Sequence, residues 1–332
     1  MQKVKPNRSG KAVILGIIAV VVLLLVGRNF LLGHDPNIQV RPPAHFPAAI
    51  DTGTISVQGA TLGRFFFNDP ILSLGQKISC ASCHQQTAAY ADFNKVYSSG
   101  DNHQLTKRNS PALMNLLWKE SFFADGRATK LSETVLNAIK DSLELHSDMA
   151  LILSRLNQDE GYADKFKRYT HKAQIEEHDF VDALVQYLRT LNSWTSKYDA
   201  VMQKREQFTA AEQKGWLLFQ ANCQSCHIPP LFSSKATYAV NSAVGKDLGR
   251  SLISGLAADD YAFVVPTVRN IDFSAPYFHN GVHADLKSVL SFHTKKENTA
   301  QLQRSLTDRE QQELLTFLKT LSDRQFVASN SY

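Results

Sequence analysis

The chain has 332 residues, enough for two domains of ordinary size, and its composition, 43% hydrophobic and 20% charged, is that of a globular protein. Its formal net charge of +5 equals the charge of residues 1–33, which hold no acidic residue and five basic ones: Lys3, Lys5, Arg8, Lys11 and Arg28. The rest of the chain is formally neutral, which argues against the basic patch that nucleic-acid binding requires, so we expect no nucleic-acid partner.

The amino terminus is predicted to be a membrane anchor. Residues 12–27 form an unbroken run of apolar residues and glycine, and with the following NFLLG the stretch is long enough to span a bilayer. A cleavable signal peptide is the alternative, but no small-residue cleavage site follows the run. Four basic residues precede the run and one follows it, which places the amino terminus in the cytoplasm. We therefore expect an uncleaved, single-pass anchor over residues 1–33.

Most of the remaining chain has helical periodicity. Residues 34–55 are rich in proline and predict a linker or extended arm. Few later segments alternate at the period of a strand, so we predict a mainly α fold with domains 56–205 and 206–332. The helical segments are ATLGRFFF (60–67), SPALMNLLWKESFF (110–123), KLSETVLNAIKDSLEL (130–145), DFVDALVQYLRTLNSW (179–194), TAAEQKGWLLFQ (209–220) and TDREQQELLTFLK (307–319). In the last two, Thr209 with Glu212 and Thr307 with Glu310 predict capping boxes.

Two Cys-x-x-Cys-His pentads account for every cysteine in the chain. They occur in KISCASCHQQ (78–87) and ANCQSCHIPP (221–230), and their residues are Cys80, Cys83 and His84, then Cys223, Cys226 and His227. Redox-active disulfides, zinc binding and covalent haem attachment are the three interpretations. A redox pair of the thioredoxin type would accompany a βαβ pattern, and a zinc site would leave both adjacent histidines unexplained.

Haem attachment explains all six residues. Each cysteine thiol adds to a haem vinyl group, and the following histidine reaches the iron. We therefore predict two covalently bound haem c groups. LGRFFF precedes the first pentad and KGWLLF the second, a weak internal duplication that favours two cytochrome c-like domains.

Four further segments lie between and after the pentads: RNSPALMN (108–115), FFADGRA (122–128), VPTVRN (265–270) and APYFHNG (275–281). In their order and spacing, over about residues 60–322, they resemble the bacterial dihaem cytochrome c peroxidase family, which includes the MauG-type enzymes. The resemblance implies a periplasmic enzyme, here anchored in the bacterial inner membrane. It would reduce hydrogen peroxide with electrons from a small redox protein (a cytochrome c or a cupredoxin) or a membrane quinol. It also leaves a homodimer open.

The resemblance implies a role for specific residues. The first haem would be the peroxide site, with His84 as proximal ligand and Glu144 as the acid–base group. Some family members cap this haem at rest with a histidine that His103 approximates, two residues out of register, whereas MauG-type members keep an open iron. The second haem would take His227 and, fourteen residues after His279, His293, where relatives have methionine or tyrosine. Imidazole in place of methionine implies a lower-potential electron store.

The family also binds a calcium ion between its domains. The matching positions here are Asn109, Ser274 and Pro276, which would supply one side-chain and two backbone oxygens.

Three positions depart from the family pattern. Ala124 replaces the tryptophan between the haems, so electrons would pass near Trp118 or directly between haem edges. Thr134 and Ala138 replace a glutamine and a proline of the distal pocket. A MauG-like oxidase that modifies a protein, and a non-enzymatic electron-transfer cytochrome, therefore stay open as alternatives to the peroxidase.

Overall fold

The computed structural model of the protein describes residues 37–240, 244–294 and 305–328. The predicted anchor over residues 1–33 lies outside these ranges. Within them, no helix combines the length and apolar character needed to cross a membrane.

The described part of the chain is mainly helical, as the sequence predicted. Its one sheet pairs two short strands, β1 (Thr237–Ala239) and β2 (Ala262–Val264), in antiparallel register. The α-helices, in chain order, are α1 Val57–Asn68, α2 Cys80–Cys83, α3 Leu131–Lys140, α4 Met149–Gln158, α5 Glu160–Thr170, α6 Glu177–Arg189, α7 Lys197–Met202, α8 Ala210–Asn222, α9 Ser251–Ser254, α10 Leu286–Thr294, α11 Asp308–Lys319 and α12 Arg324–Ala328.

Each half of the molecule is built on one close helix crossing. α1 packs against α6 and α8 against α11, with a glycine at each crossing point. A Cβ atom on Gly63 would overlap the carbonyl oxygen of Ala183, and one on Gly215 would overlap that of Glu313. The glycines of LGRFFF and KGWLLF therefore have the same physical function, which is to let two helix backbones approach.

Two hydrophobic cores divide the chain. The first contains buried residues from Leu62 to Leu191, and the second contains buried residues from Tyr198 to Leu321. A third, smaller cluster joins Phe46 of the amino-terminal arm (residues 37–55) to Leu117 and Trp118.

The internal duplication continues in the backbone after the pentads, with a constant offset of 155 residues. Asn115 and Asn270, at φ 52° and 54°, each precede a 3₁₀ helix, Leu116–Trp118 and Ile271–Phe273. The bridge between Phe122 and Ala128 has its counterpart between Tyr277 and His283. α3 begins at Leu131 and α10 at Leu286. Residues of the two halves can therefore be compared position by position.

Three predicted helices are shorter than their sequence patterns. Residues 110–123 contain only the 3₁₀ helix, and DFVDALVQYLRTLNSW is helical only to Arg189. α3 ends at Lys140 because the Asp141 side chain accepts a hydrogen bond from the backbone N–H of Leu143, at 2.8 Å, and turns the chain. The capping boxes at Thr209 and Thr307 are confirmed.

Candidate functional site

In the first pentad, a hydrogen bond orients the histidine so that one ring nitrogen is left free to bind a metal. Cys80 and Cys83 lie at the two ends of α2, which Ser79 caps, and His84 follows directly. The Nδ1–H of His84 donates to the carbonyl oxygen of Tyr90 at 2.8 Å, which leaves Nε2 as the unprotonated nitrogen. Burial lowers the pKa of His84, which favours the neutral imidazole. Such an orienting hydrogen bond is typical of histidine ligands to metals.

The second pentad repeats this arrangement. His227 Nδ1 lies 3.1 Å from the carbonyl oxygen of Pro266 and 3.3 Å from that of Phe232. Burial lowers the pKa of His227 as well. Both histidines can therefore bind iron through Nε2, and the residues present fit a haem c group at each pentad.

The cysteines are unlike those of redox or zinc sites. All four are free thiols, and burial raises the pKa of Cys80 and of Cys223 to about 12. Reactive and metal-bound cysteines require a thiolate, which a raised pKa disfavours. Within the described ranges, the one group of three potential metal-ligating atoms comprises Glu176, His178 and Asp179, at the surface. The two cysteine pairs do not converge on one site, so covalent haem attachment stays the best interpretation.

Glu144 lies beside the first pentad, in the turn that follows α3. It is half-buried, and burial raises the pKa of its carboxyl to about 7; Asp141 adds to the shift and Arg127 opposes it. Burial is the main cause of the raised pKa values of Cys80 and Cys83, and the charge of Glu144 contributes to both. The structure thus brings a carboxyl with a pKa near neutrality into electrostatic reach of the first haem attachment site.

The loop that carries His103 packs against the same turn. The N–H of Asp101 donates to the carbonyl oxygen of Glu144 at 3.0 Å, and a Cβ on Gly100 would overlap the carbonyl oxygen of Leu143. His103 itself is exposed at the end of this loop, with φ 64°. Its role as a distal ligand stays a prediction.

His293 lies on α10, near His227. Burial lowers the pKa of His293 to about 4, and the charges of His227 and His283 add to the effect. The ring of His293 stacks on Phe278, with 5.8 Å between centroids and 24° between planes. The structure therefore brings together the two histidines predicted to ligate the second iron, and burial lowers the pKa of both.

The position equivalent to His293 in the first half is Ala138. The offset of 155 residues aligns α3 with α10 and places Ala138 on the same half-buried part of its helix. The first site therefore has a methyl group where the second has an imidazole. If a haem is bound at each pentad, the second site would therefore have a further histidine side chain that the first site lacks at the equivalent position.

The three candidate calcium ligands lie where the halves meet. The N–H of Asn109 donates to the carbonyl oxygen of His279 at 2.7 Å, and the N–H of Asn94 donates to that of Ala275 at 3.2 Å. Asn109 Nδ2 donates to the carbonyl oxygens of Lys95 and Val96, which leaves its Oδ1 for a cation. Asn109 thus faces the segment that contains Ser274 and Pro276, and the oxygen donors suit calcium. Calcium binding stays a prediction.

The interface around Ala124 uses contacts that sequence spacing did not predict. The Ala124 carbonyl oxygen accepts a hydrogen bond from the Val264 N–H at 2.8 Å, across the two halves. Arg108 forms ion pairs with Asp125 and with Asp247, the latter at 2.6 Å. The sequence does not indicate a role for Asp247, because Arg108, its ion-pair partner, lies 139 residues earlier in the chain.

Trp118, the alternative electron route, lies against the arm. Its Nε1–H donates to the carbonyl oxygen of Pro47 at 2.9 Å, and its ring packs edge-on to Phe46 and Trp194.

Comparison with known proteins agrees with these features. The sequence profile described as di-haem cytochrome c peroxidase matches residues 57–207. The chain is 26% identical over 319 residues to the methylamine utilization protein MauG of Methylophilus methylotrophus, covering 92% of this chain and 94% of that protein. It is 29% identical over 283 residues to the cytochrome c551 peroxidase of Pseudomonas aeruginosa, covering 82% and 80%. A solved MauG-like protein associated with microbial copper homeostasis superposes with a TM-score of 0.79 at 25% identity, covering 88% of this chain and 98% of that one.

Proposed function

We propose that this chain, whose residues 57–207 match the di-haem cytochrome c peroxidase profile, is a membrane-anchored, periplasmic peroxidase that reduces hydrogen peroxide to water. The observation that carries the proposal is the difference between the two pentad sites. The first has a carboxyl of raised pKa, Glu144, nearby, and the second has a further neutral histidine, His293. One site is thus equipped for proton transfer and the other for electron storage.

The cofactors would be held at the two pentads. Cys80 with Cys83, and Cys223 with Cys226, would form the thioethers, and His84 and His227 would be the proximal ligands. When bound, the haems supply iron that accepts peroxide at the first site and stores an electron at the second.

Glu144 is the proposed proton carrier. Cleavage of the O–O bond requires a proton to leave one peroxide oxygen and reach the other. A carboxyl with a pKa of about 7 is populated in both its acid and base forms near neutral pH, so it can accept that proton and return it. Arg127 and Asp141 tune this balance through their opposite charges.

The proposed reaction also requires a supply of electrons to the second site. Reduction of one peroxide to two waters consumes two electrons and two protons, which a reduced small redox protein or a membrane quinol would provide through the second site. Ligation by His227 and His293 favours ferric iron relative to methionine ligation, so this site would have a low potential.

A second candidate function is supported by the relatives named MauG and by the MauG-like structure. In this alternative, the first site oxidises a side chain of another protein and needs no small donor.

Steady-state turnover distinguishes the two. We expect the purified holoprotein to consume peroxide with reduced cytochrome c, reduced cupredoxin or quinol, and expect Glu144→Gln to suppress that turnover. Failure of all three donors, with peroxide-dependent oxidation of a protein substrate, would instead establish the oxidase. The absence of both reactions, in protein that contains two haems, would leave an electron-transfer cytochrome.

A further inference from the structure

The amino-terminal arm reaches the buried core of the second half. Residues 37–55 run along both halves, and the backbone N–H groups of Ile50 and Asp51 both donate to the carbonyl oxygen of Leu117 at 2.9 Å. Asp51 forms an ion pair with Arg189 at 2.8 Å. These contacts hold the arm against the first half and direct its middle, His45 and Phe46, toward the second.

His45 and Phe46 contact a fully buried ion pair. Arg269 forms two hydrogen bonds with Asp199, at 2.9 and 2.7 Å, and both side chains have 0% exposure. His45 Nε2 lies 3.0 Å from the Asp199 carboxylate, and the Arg269 guanidinium lies 4.9 Å from the centre of the Phe46 ring. Burial opposes the charge of Asp199, but Arg269, Ser196 and His45 hold its pKa below the ordinary value.

The same arginine holds the loop after the second pentad. Arg269 Nε donates to the carbonyl oxygen of Pro230 at 2.6 Å, and Thr267 Oγ1 donates to that of Leu231 at 2.6 Å. The loop and the Thr267 segment provide the two carbonyl oxygens, of Phe232 and Pro266, that face His227 Nδ1. The arm is therefore connected to His227 by an unbroken series of short contacts through Asp199 and Arg269.

We propose that His45 and Phe46 are positioning residues for His227, and that they tune the reduction potential of the second haem. The inference rests on the proposed ligation by His227. A hydrogen bond from Nδ1–H to a carbonyl oxygen makes the imidazole a stronger donor to the metal, which favours ferric iron. If the acceptors move away, the bond weakens and the ferric form loses stabilisation. Loss of the arm's contacts therefore raises the potential of the second haem.

The experiment is a redox titration of the holoprotein, with both haems followed optically. The variants are His45→Ala and Phe46→Leu, and the matched control is Ile50→Ala, an arm residue whose side chain is 55% exposed. We expect both variants to raise the midpoint potential of the second haem, to leave that of the first haem unchanged, and to alter the low-spin EPR g values of the second haem. We expect the control to match the wild type.

Two outcomes of the titration decide between these roles of the arm. An upward shift confined to the second haem supports the inference. An unchanged or lowered potential overturns it, and a loss of thermal stability alone would then make the arm a mechanical support. If His45→Ala does not fold, the midpoint potential of the second haem in Phe46→Leu, which retains most of the apolar volume, tests the same proposal. His227→Ala tests the premise separately. If that variant leaves the spectrum of the second haem unchanged, His227 is not a ligand and the inference fails together with the proposed ligation; if the spectrum changes while the arm variants keep the wild-type potential, only the role of the arm is wrong.

Discussion

Replacement of Glu144 by glutamine tests the centre of the proposed chemistry. Burial raises the pKa of this carboxyl from 4.5 to about 7, and the neighbouring Asp141 adds to the shift. The difference corresponds to about 3 kcal/mol by which ionisation is disfavoured, reduced to about 2 kcal/mol because water reaches part of the side chain. A glutamine keeps the shape of the side chain and cannot carry a proton.

The expected effect on catalysis follows from the pKa. If the carboxylate accepts the proton from peroxide, kcat/KM for peroxide rises with pH through about 7 in the wild type. Glu144→Gln should lower kcat/KM for peroxide by about 10²–10⁴-fold and abolish its rise with pH near 7, and both haem spectra should be unchanged. Stopped-flow measurement from pH 5 to 9 gives both quantities. Turnover within a factor of about two of the wild type, with the pH step retained, would refute the assignment, since general acid–base groups contribute far more.

Substitution of two charged neighbours of Glu144 tests the direction in which each one shifts its pKa. Asp141 raises the pKa of Glu144 and Arg127 lowers it. Asp141→Asn should therefore move the step to lower pH, and Arg127→Gln should move it to higher pH. Glu206→Gln, at an exposed site near α7, is the matched control and should not move it. Shifts in the opposite directions would mean that another group titrates.

The same pKa affects stability. Because the folded protein binds this proton more tightly than the unfolded chain, the contribution of Glu144 to stability is lost as pH rises from about 4.5 through about 7. The free energy of unfolding of Glu144→Gln, relative to wild type, should therefore increase between pH 5 and pH 8 when measured by urea titration. A constant difference across this range would contradict the raised pKa.

Four further predictions concern the remaining ligands and the anchor. His293→Ala should convert the second haem to a high-spin or water-bound form in EPR, and His293→Met should raise its potential and add a near-infrared band; an unchanged spectrum would mean that another group ligates the iron. Ala138→His should make the first haem low-spin and block cyanide binding, whereas Asn137→His, one exposed residue earlier, should not. Removal of calcium with EGTA should lower the melting temperature, and Asn109→Ala should abolish that effect; equal responses would exclude Asn109 as a ligand. The holoprotein should sediment with membranes through residues 1–33, and a soluble form that begins near residue 34 would identify a signal peptide instead.

The sequence by itself determined the features that depend on neighbours along the chain. The pentads place two cysteines and a histidine on one turn, so their chemistry is readable from spacing alone. The two capping boxes and the apolar stripe of α3, Leu131, Val135 and Ile139, are equally local and are as predicted. The glycines of the helix crossings were visible as a repeated pattern, although their function required the structure.

Only the tertiary structure decided the environment of each group. The raised pKa of Glu144 depends on burial and on the charges of Asp141 and Arg127, none of which follows from its position in KDSLELH. Helical periodicity extended α3 to residue 145, but the Asp141 side chain captures a backbone N–H and creates the turn that presents Glu144. The link from His45 to Asp199 and Arg269 joins residues 154 and 70 positions apart. Burial and charge are sums over such distant contacts, and no local pattern contains them.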